Sequence, residues 1–189
     1  EKSKKPLIIV GNGVQSSNSI ESVKKLIKKL NIPYACTWAT AHHFSTEYEL
    51  NAGLFGVAAT RFGNFSLQSS DLILFLGTRL SPQIVGGDIK NFAPNAKKII
   101  VEIDNQEFAN HLLPKSDLKI NNDVNLFLNH LNKENFLIKK KTNDFWIKKV
   151  NFFKLKYPML SKKNFENKKS VDPYYFFDHL YDVVKEKSI

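Results

Sequence analysis

The sequence predicts an α/β protein: an open, mostly parallel sheet with helices on both faces. Three observations predict it. Leu72-Ile-Leu-Phe-Leu76 is an apolar run too short for a helix and without alternation, the pattern of a strand buried on both faces. Pro6-Leu-Ile-Ile-Val10, the turn Gly11-Asn-Gly13, an amphipathic stretch and Pro33-Tyr-Ala-Cys-Thr37 follow as strand, turn, helix and strand. That order is a βαβ unit, with parallel strands and a right-handed crossover. Finally, Lys98-Ile-Ile-Val-Glu-Ile103 repeats the buried-strand pattern and ends at Asp104.

The remaining elements follow in order. Asn18-Ser-Ile-Glu21 reads as a variant capping box, with Asn18 as N-cap. Ile20, Val23, Leu26, Ile27 and Leu30 form an apolar stripe, while Lys24, Lys25, Lys28 and Lys29 face water. Trp38 to Phe62 is expected to be irregular, and a segment of that length marks function rather than filler. It holds His42 and His43; adjacent histidines point apart on most backbones and no His, Asp or Glu at i,i+4 accompanies them, so zinc is not expected there. Asn64 to Ser70 completes a helix before the central strand. Gly77 ends that strand with a sharp turn, and Arg79 stands just beyond with a planar fork suited to phosphate, or to a surface ion pair. Leu118-Lys-Ile120 adds a short edge strand. Asn122 or Asp123 then caps a helix carrying Val124, Phe127, Leu128 and Leu131.

This divides the chain into three parts. Residues 1–132 form the Rossmann-like α/β domain. Residues 133–170 form a basic helical linker, with Lys133 to Lys141 as a connector, a helix from Asn143 to about Tyr157, and an extended stretch from Met159. In that helix Phe145, Trp146, Val150 and Phe153 are docking residues. Residues 171–189 open with Asp172-Pro173, an N-cap acid followed by proline at the first helical position. Tyr174, Phe176, Phe177, Leu180, Val183 and Val184 give that helix an apolar face, read as the first helix of a further domain.

Composition narrows the function. The chain has 189 residues, a net charge of +10, a single cysteine and 42% hydrophobic residues. Residues 132–170 carry 12 lysines against 3 acids, so the rest is nearly neutral. Only two arginines occur, Arg61 and Arg79, whereas base readout relies on arginine forks. Nucleic-acid binding is therefore not expected. No apolar run reaches the roughly 18–20 residues that span a bilayer, so no membrane partner is expected. Cys36, in a strand-like run, suits a reducing cytosol and an inert buried thiol. Glu1-Lys-Ser-Lys-Lys-Pro6 has neither an initiator Met nor a signal core. The chain is thus expected to be a piece of a longer cytoplasmic protein.

One family joins these features. Lys5-Pro-Leu-Ile-Ile-Val-Gly-Asn-Gly-Val14, Ile32-Pro-Tyr-Ala-Cys-Thr-Trp38 and Asn51-Ala-Gly-Leu-Phe-Gly56 carry the resemblance. So do Asn64-Phe-Ser-Leu-Gln-Ser-Ser-Asp-Leu-Ile-Leu-Phe-Leu-Gly-Thr-Arg79, Phe92-Ala-Pro94, Val101-Glu-Ile-Asp104 and Ile120-Asn-Asn-Asp-Val124. In this order and spacing they resemble the central domain of thiamine-diphosphate-dependent enzymes of the acetolactate synthase large-subunit group. Val171-Asp-Pro-Tyr-Tyr-Phe-Phe177 is similar to the family's entry into its diphosphate-binding domain.

The resemblance implies that the parent protein condenses two pyruvates to 2-acetolactate and CO2, a step of branched-chain amino acid biosynthesis. Thiamine diphosphate and Mg2+ supply the chemistry from flanking domains of the same chain, in a homodimer or homotetramer. This piece would hold no catalytic residue and no metal ligand. Gly87-Asp88-Ile89 does not match the family's Gly-Asp-Gly…Asn metal motif. In the synthases proper the middle domain binds FAD. The matching positions here are Gly11, Gly13, Thr37, Trp38, Gly53, Gly56, Gly77 and Arg79, with Glu102, Ile103, Asp123 and Val124 at the adenosine end. Arg79-Leu-Ser-Pro-Gln83 stands where those synthases carry Arg-Phe-Asp-Asp-Arg, and Phe55 replaces a histidine near the flavin. Three alternatives stay open: another thiamine-diphosphate 2-keto acid decarboxylase or lyase, a middle domain that binds nothing, and a stand-alone nucleotide- or NAD-binding module.

Overall fold

Apolar runs of five or six residues become parallel strands here because helices cover both faces of the sheet. The strands are β1 (Pro6–Val10), β2 (Tyr34–Cys36), β3 (Asn51–Leu54), β4 (Leu72–Leu76), β5 (Lys97–Glu102) and β6 (Leu118–Asn121). They form one sheet in the order β3-β2-β1-β4-β5-β6, and every pairing is parallel. The computed structural model describes residues 3–109, 117–134, 144–160 and 170–185. The chain divides into two units, Glu1–Tyr157 and Pro158–Ile189.

Side chains alternate across the sheet. Leu7 and Ile9 of β1, Ile73 and Phe75 of β4 and Ile100 of β5 enter one apolar cluster. Ile8, Val10, Leu76 and Val101 enter the other. Helix α2 (Ile20–Leu30) and helix α5 (Val124–Lys133) cover the second face through Val23, Leu26, Ile27, Val124 and Leu128. The first face is covered by helix α3 (Arg61–Ser69) with Phe62 and Leu67, and by helix α6 (Asp144–Lys156) with Trp146, Val150 and Phe153.

Several expectations hold at residue level. β1 and β4 coincide with the apolar runs, β6 is the short edge strand, and Asp123 caps α5 by accepting from the N–H groups of Asn125 and Leu126. Other details differ. Asn18 is not an N-cap: it adopts a left-handed φ of 53° that ends an unanticipated short helix, α1 (Asn12–Ser16). Ser19 precedes α2 instead, without a capping side-chain bond. β3 lies inside the stretch expected to be irregular. Its sequence, Asn-Ala-Gly-Leu, has no β-branched residue, so pairing with β2 rather than propensity makes it a strand. α3 starts at Arg61, where the Thr60 side chain accepts from Gly63 N, and α4 (Pro82–Val85) was not foreseen.

The helix assigned to the linker belongs to the first unit. Trp146 is fully buried, and its indole Nε1 donates to Pro6 O at 2.8 Å, which fixes α6 to the start of β1. A buried indole N–H needs such a partner, and the carbonyl of a strand-entry residue supplies it. Lys154 of the same helix donates to Thr46 O and Tyr48 O. Most of the connector Lys133 to Lys141 and most of the stretch after Met159 lie outside the described residues. In the second unit, α7 (Pro173–Lys185) starts as expected, with Asp172 Oδ1 accepting from Tyr174 N and Tyr175 N. Among the described residues no helix is long and apolar enough to cross a membrane.

Truncating Trp146 to Ala should remove about 3–5 kcal/mol of stability, the usual loss for a large buried aromatic. Urea unfolding of the chain followed by circular dichroism measures it. Trp146→Phe, which keeps most of the volume but not the hydrogen bond, should lose about 1–3 kcal/mol, because Pro6 O is left unsatisfied.

Candidate functional site

The strand ends are in register. Val10 pairs with Leu76 and Cys36, and Leu76 pairs with Val101. The next residues, Gly11, Thr37, Gly77 and Glu102, therefore come to one rim. Strand order reverses between β1 and β4, and at such a switch point the two departing loops part and leave a crevice.

Two backbones meet at the base of that crevice. Gly11 N donates to Leu76 O at 3.0 Å, Gly13 N to Gly77 O at 2.9 Å, and Gly77 N to Val101 O at 3.0 Å. A Cβ on Gly13 would lie 2.7 Å from Gly77 Cα, and one on Gly11 would overlap Gly77 O and Thr78. Gly77 has a φ of +54°. Only glycine permits this approach.

Above it opens a cleft of about 410 Å³. Asn12, Gly13 and Ser16 form one wall; Thr37, Trp38 and Ala39 the next; Gly77, Thr78, Arg79, Ser81, Gln83 and Ile84 a third; Glu102 and Ile103 close it. Trp38 is 73% exposed and Ile103 65%, so the rim has an apolar edge. The Thr37 hydroxyl is buried without a hydrogen-bond partner. Most other polar groups are engaged. Arg79 Nη2 lies 2.8 Å from Glu107 Oε1, with the arginine side chain 76% exposed, a pair contributing about 0–1 kcal/mol. Glu102 Oε1 accepts from Ile103 N at 2.9 Å and Asp104 N at 3.2 Å.

Of the twelve positions singled out in the sequence, Gly13, Thr37, Trp38, Gly77, Arg79, Glu102 and Ile103 line the cleft. Gly11 lies beneath it as backbone packing. Gly56, at φ +120°, sits beside the Gln83–Ile84 wall. Gly53, at φ +88°, lies against Phe62 and Thr60 of the α3 start. Asp123 is occupied as the α5 cap, and Val124 is buried in the core. Sequence reasoning missed Asn12, Ser16, Thr78, Ser81, Gln83 and Ile84. Ser81-Pro82, an N-cap residue before proline, was the signal that could have found the α4 wall.

No three His, Cys, Asp or Glu side chains converge among the described residues. Cys36 sits in the core, where burial pushes its thiol up to about 12 against a weaker opposing hydrogen bond from Thr40. Such a thiol is not a nucleophile at neutral pH.

The doubly wound parallel sheet with a cleft at its switch point defines an open α/β domain. The chain belongs to the family described as thiamine pyrophosphate enzyme, central domain, whose model matches residues 1–131. A probable acetolactate synthase large subunit of Methanococcus aeolicus is 35% identical over 160 residues, covering 80% of this chain and 26% of that protein. A probable acetolactate synthase large subunit of Methanocaldococcus jannaschii is 28% identical over 185 residues, 98% of this chain and 30% of that protein. The chloroplastic acetolactate synthase 2 of Nicotiana tabacum is 31% identical over 164 residues, 84% of this chain and 24% of that protein. The chain thus spans less than a third of each of these relatives.

Two glycines test the base of the cleft. Gly13→Ala should destabilise by about 2 kcal/mol or more, because its methyl group meets the Gly77 backbone. Helix propensity alone would favour alanine there by about 1 kcal/mol, so the sign is diagnostic. Gly87→Ala, with nothing within 4 Å of the added carbon, should stay within about 0.5 kcal/mol in the same urea titration. Cys36 should react with a disulfide thiol probe at pH 8 at least about tenfold more slowly in the folded chain than in the unfolded one.

Proposed function

We propose that this chain is the middle, non-catalytic domain of an acetolactate synthase-like enzyme that condenses two pyruvates to 2-acetolactate and CO2. The observation that carries this reading is the match to acetolactate synthases along most of the chain, within a family of thiamine pyrophosphate enzymes. Thiamine diphosphate, bound with Mg2+ by the flanking domains of a cytoplasmic homo-oligomer, supplies the carbanion chemistry. This domain supplies a rigid sheet that spaces those domains and presents its rim to them. Trp38 and Ile103 on that rim offer apolar area for such a contact.

The cleft residues do not fit FAD. A dinucleotide diphosphate carries two negative charges, and Arg79, paired with Glu107, is the one cation among the residues that line the cleft. Gly13 N, which would face a phosphate at a dinucleotide-binding turn, donates to Gly77 O. Asp123 and Val124, expected at the adenosine end, cap α5 and fill the core. Glu102, expected at the ribose, accepts from its own strand-end N–H groups. The proposed domain therefore works without a flavin.

Two measurements test this. The complete gene product, supplied with pyruvate, thiamine diphosphate and Mg2+, should release CO2 and form acetolactate without added FAD. Neither product forming would overturn the enzymatic reading. Titrating the 189-residue chain into FAD, ADP and NAD should give no saturable signal at micromolar concentrations. Tight FAD binding would reverse the flavin-free assignment, and tight, selective NAD binding would favour a stand-alone NAD module.

A further inference from the structure

Asn12-Gly13 is the one Asn-Gly pair in the sequence, and it lies where the turns after β1 and β4 meet. Such a pair has a chemistry of its own. The glycine nitrogen attacks Cγ of the asparagine, and the new N–Cγ bond closes a five-membered succinimide. The Nδ2 group leaves as ammonia, taking the amide proton with it. Water then opens the ring. Breaking the N–Cγ bond gives aspartate, whereas breaking the bond to the main-chain carbonyl gives isoaspartate, whose backbone runs through the side-chain methylene. Glycine favours the attack because it has no Cβ to hinder it.

The asparagine side chain is accessible, but the nucleophile is not. Asn12 is exposed, and its Nδ2 reaches only Ser16 Oγ, at 3.4 Å. Gly13 N donates to Gly77 O at 2.9 Å, and Gly13 O accepts from Ser17 N at 3.0 Å, so the glycine is held on both sides. Val14 N donates to Gly11 O at 3.1 Å, closing a turn with Asn12 and Gly13 at its centre. Asn12 is also the first residue of α1, and ring closure needs its ψ turned out of the helical range. Attack therefore waits until the contact opens, and local openings of this kind set the reactivity of packed amides.

We infer that Asn12 is a site of spontaneous deamidation, gated by the Gly13–Gly77 contact, and that its isoaspartyl product cannot rebuild that contact. Isoaspartate places one more atom in the main chain before Gly13 N. That nitrogen must meet Gly77 O in a space that does not accept even a methyl group. Aspartate leaves the backbone unchanged and adds a carboxylate to one wall of the cleft. The gate rests on the contact itself and is independent of the activity of the parent enzyme.

The test incubates the 189-residue chain at pH 8 and follows the peptide containing Asn12 by mass spectrometry, with the chain in denaturing urea as reference. Deamidation at Asn12 should be at least about tenfold slower in the folded chain than in urea. Gly77→Ala, whose methyl group would lie 2.7 Å from Gly13 Cα, should raise the folded rate towards the urea rate. Gly87→Ala, with open space around the added carbon, should deamidate as the parent chain does. Hydrogen exchange at the Gly13 amide probes the gate without a variant, and should be slowed by at least about tenfold. Chains carrying isoaspartate at position 12 should unfold at a lower urea concentration than Asn12→Asp chains. Folded and urea rates within about twofold of each other, or a Gly13 amide that exchanges freely, would overturn the gate. So would a Gly77→Ala chain that keeps its circular dichroism and deamidates no faster than the parent. An isoaspartyl chain as stable as Asn12→Asp would overturn the claim for the product.

Discussion

The rest of the fold depends on one backbone-to-backbone contact, between the turns that follow β1 and β4. Gly11 and Gly13 on one side and Gly77 on the other meet with no Cβ between them, and Gly13 N bonds Gly77 O across the gap. Any side chain here would push two central strands apart at their carboxyl ends, where the switch-point cleft begins. Glycine is entropically unfavourable in a folded chain, and three at one contact are tolerated because the approach itself allows nothing larger. The same contact occupies the N–H groups that would otherwise face a bound diphosphate. One geometric requirement therefore both forms the base of the cleft and engages the glycine N–H groups there.

Around that contact the sheet is closed by two apolar layers of different origin. α2 and α5 come from within the α/β succession, but α6 arrives from beyond it and reaches the core through Trp146. Its bond to Pro6 O joins residues 140 positions apart in sequence. The lysines of the same helix stay at the surface or, like Lys154, tie a loop through its carbonyls. A segment whose composition reads as a solvated basic linker is thus also a structural layer. Of the residues expected to dock, Trp146, Val150 and Phe153 pack, whereas Phe145 is exposed among the lysines.

The electrostatics of the rim follow a common pattern: its charged groups satisfy one another or their own backbone. Arg79 pairs with Glu107, and Glu102 and Asp123 accept from strand-end and helix-start N–H groups. The Thr37 hydroxyl has no hydrogen-bond partner, and Trp38 stays exposed. Internal satisfaction of this kind suits the proposed role as a spacer between catalytic domains.

The residue pattern alone dictated the sheet and its parallel sense. The unbroken apolar runs of β1, β4 and β5 demand two covered faces, and the strand–glycine–helix–strand order allows only parallel pairing. It also determined the start of α7 and narrowed the α5 cap to Asn122 or Asp123, of which Asp123 is the cap, because capping is local chemistry. It could not determine β3, whose Asn-Ala-Gly-Leu has no intrinsic strand preference and is held by β2, nor which residue leads into α2, since Asn18 turned left-handed to end a helix that no periodicity announced. For the site, the glycine-tipped ends of β1 and β4 were legible residue by residue, whereas β3 was not. Whether a polar side chain at that rim stays available or is consumed by a neighbour depends on contacts between distant residues. Tertiary structure alone decided that, because hydrogen-bond satisfaction is a property of the packed neighbourhood and not of the residue.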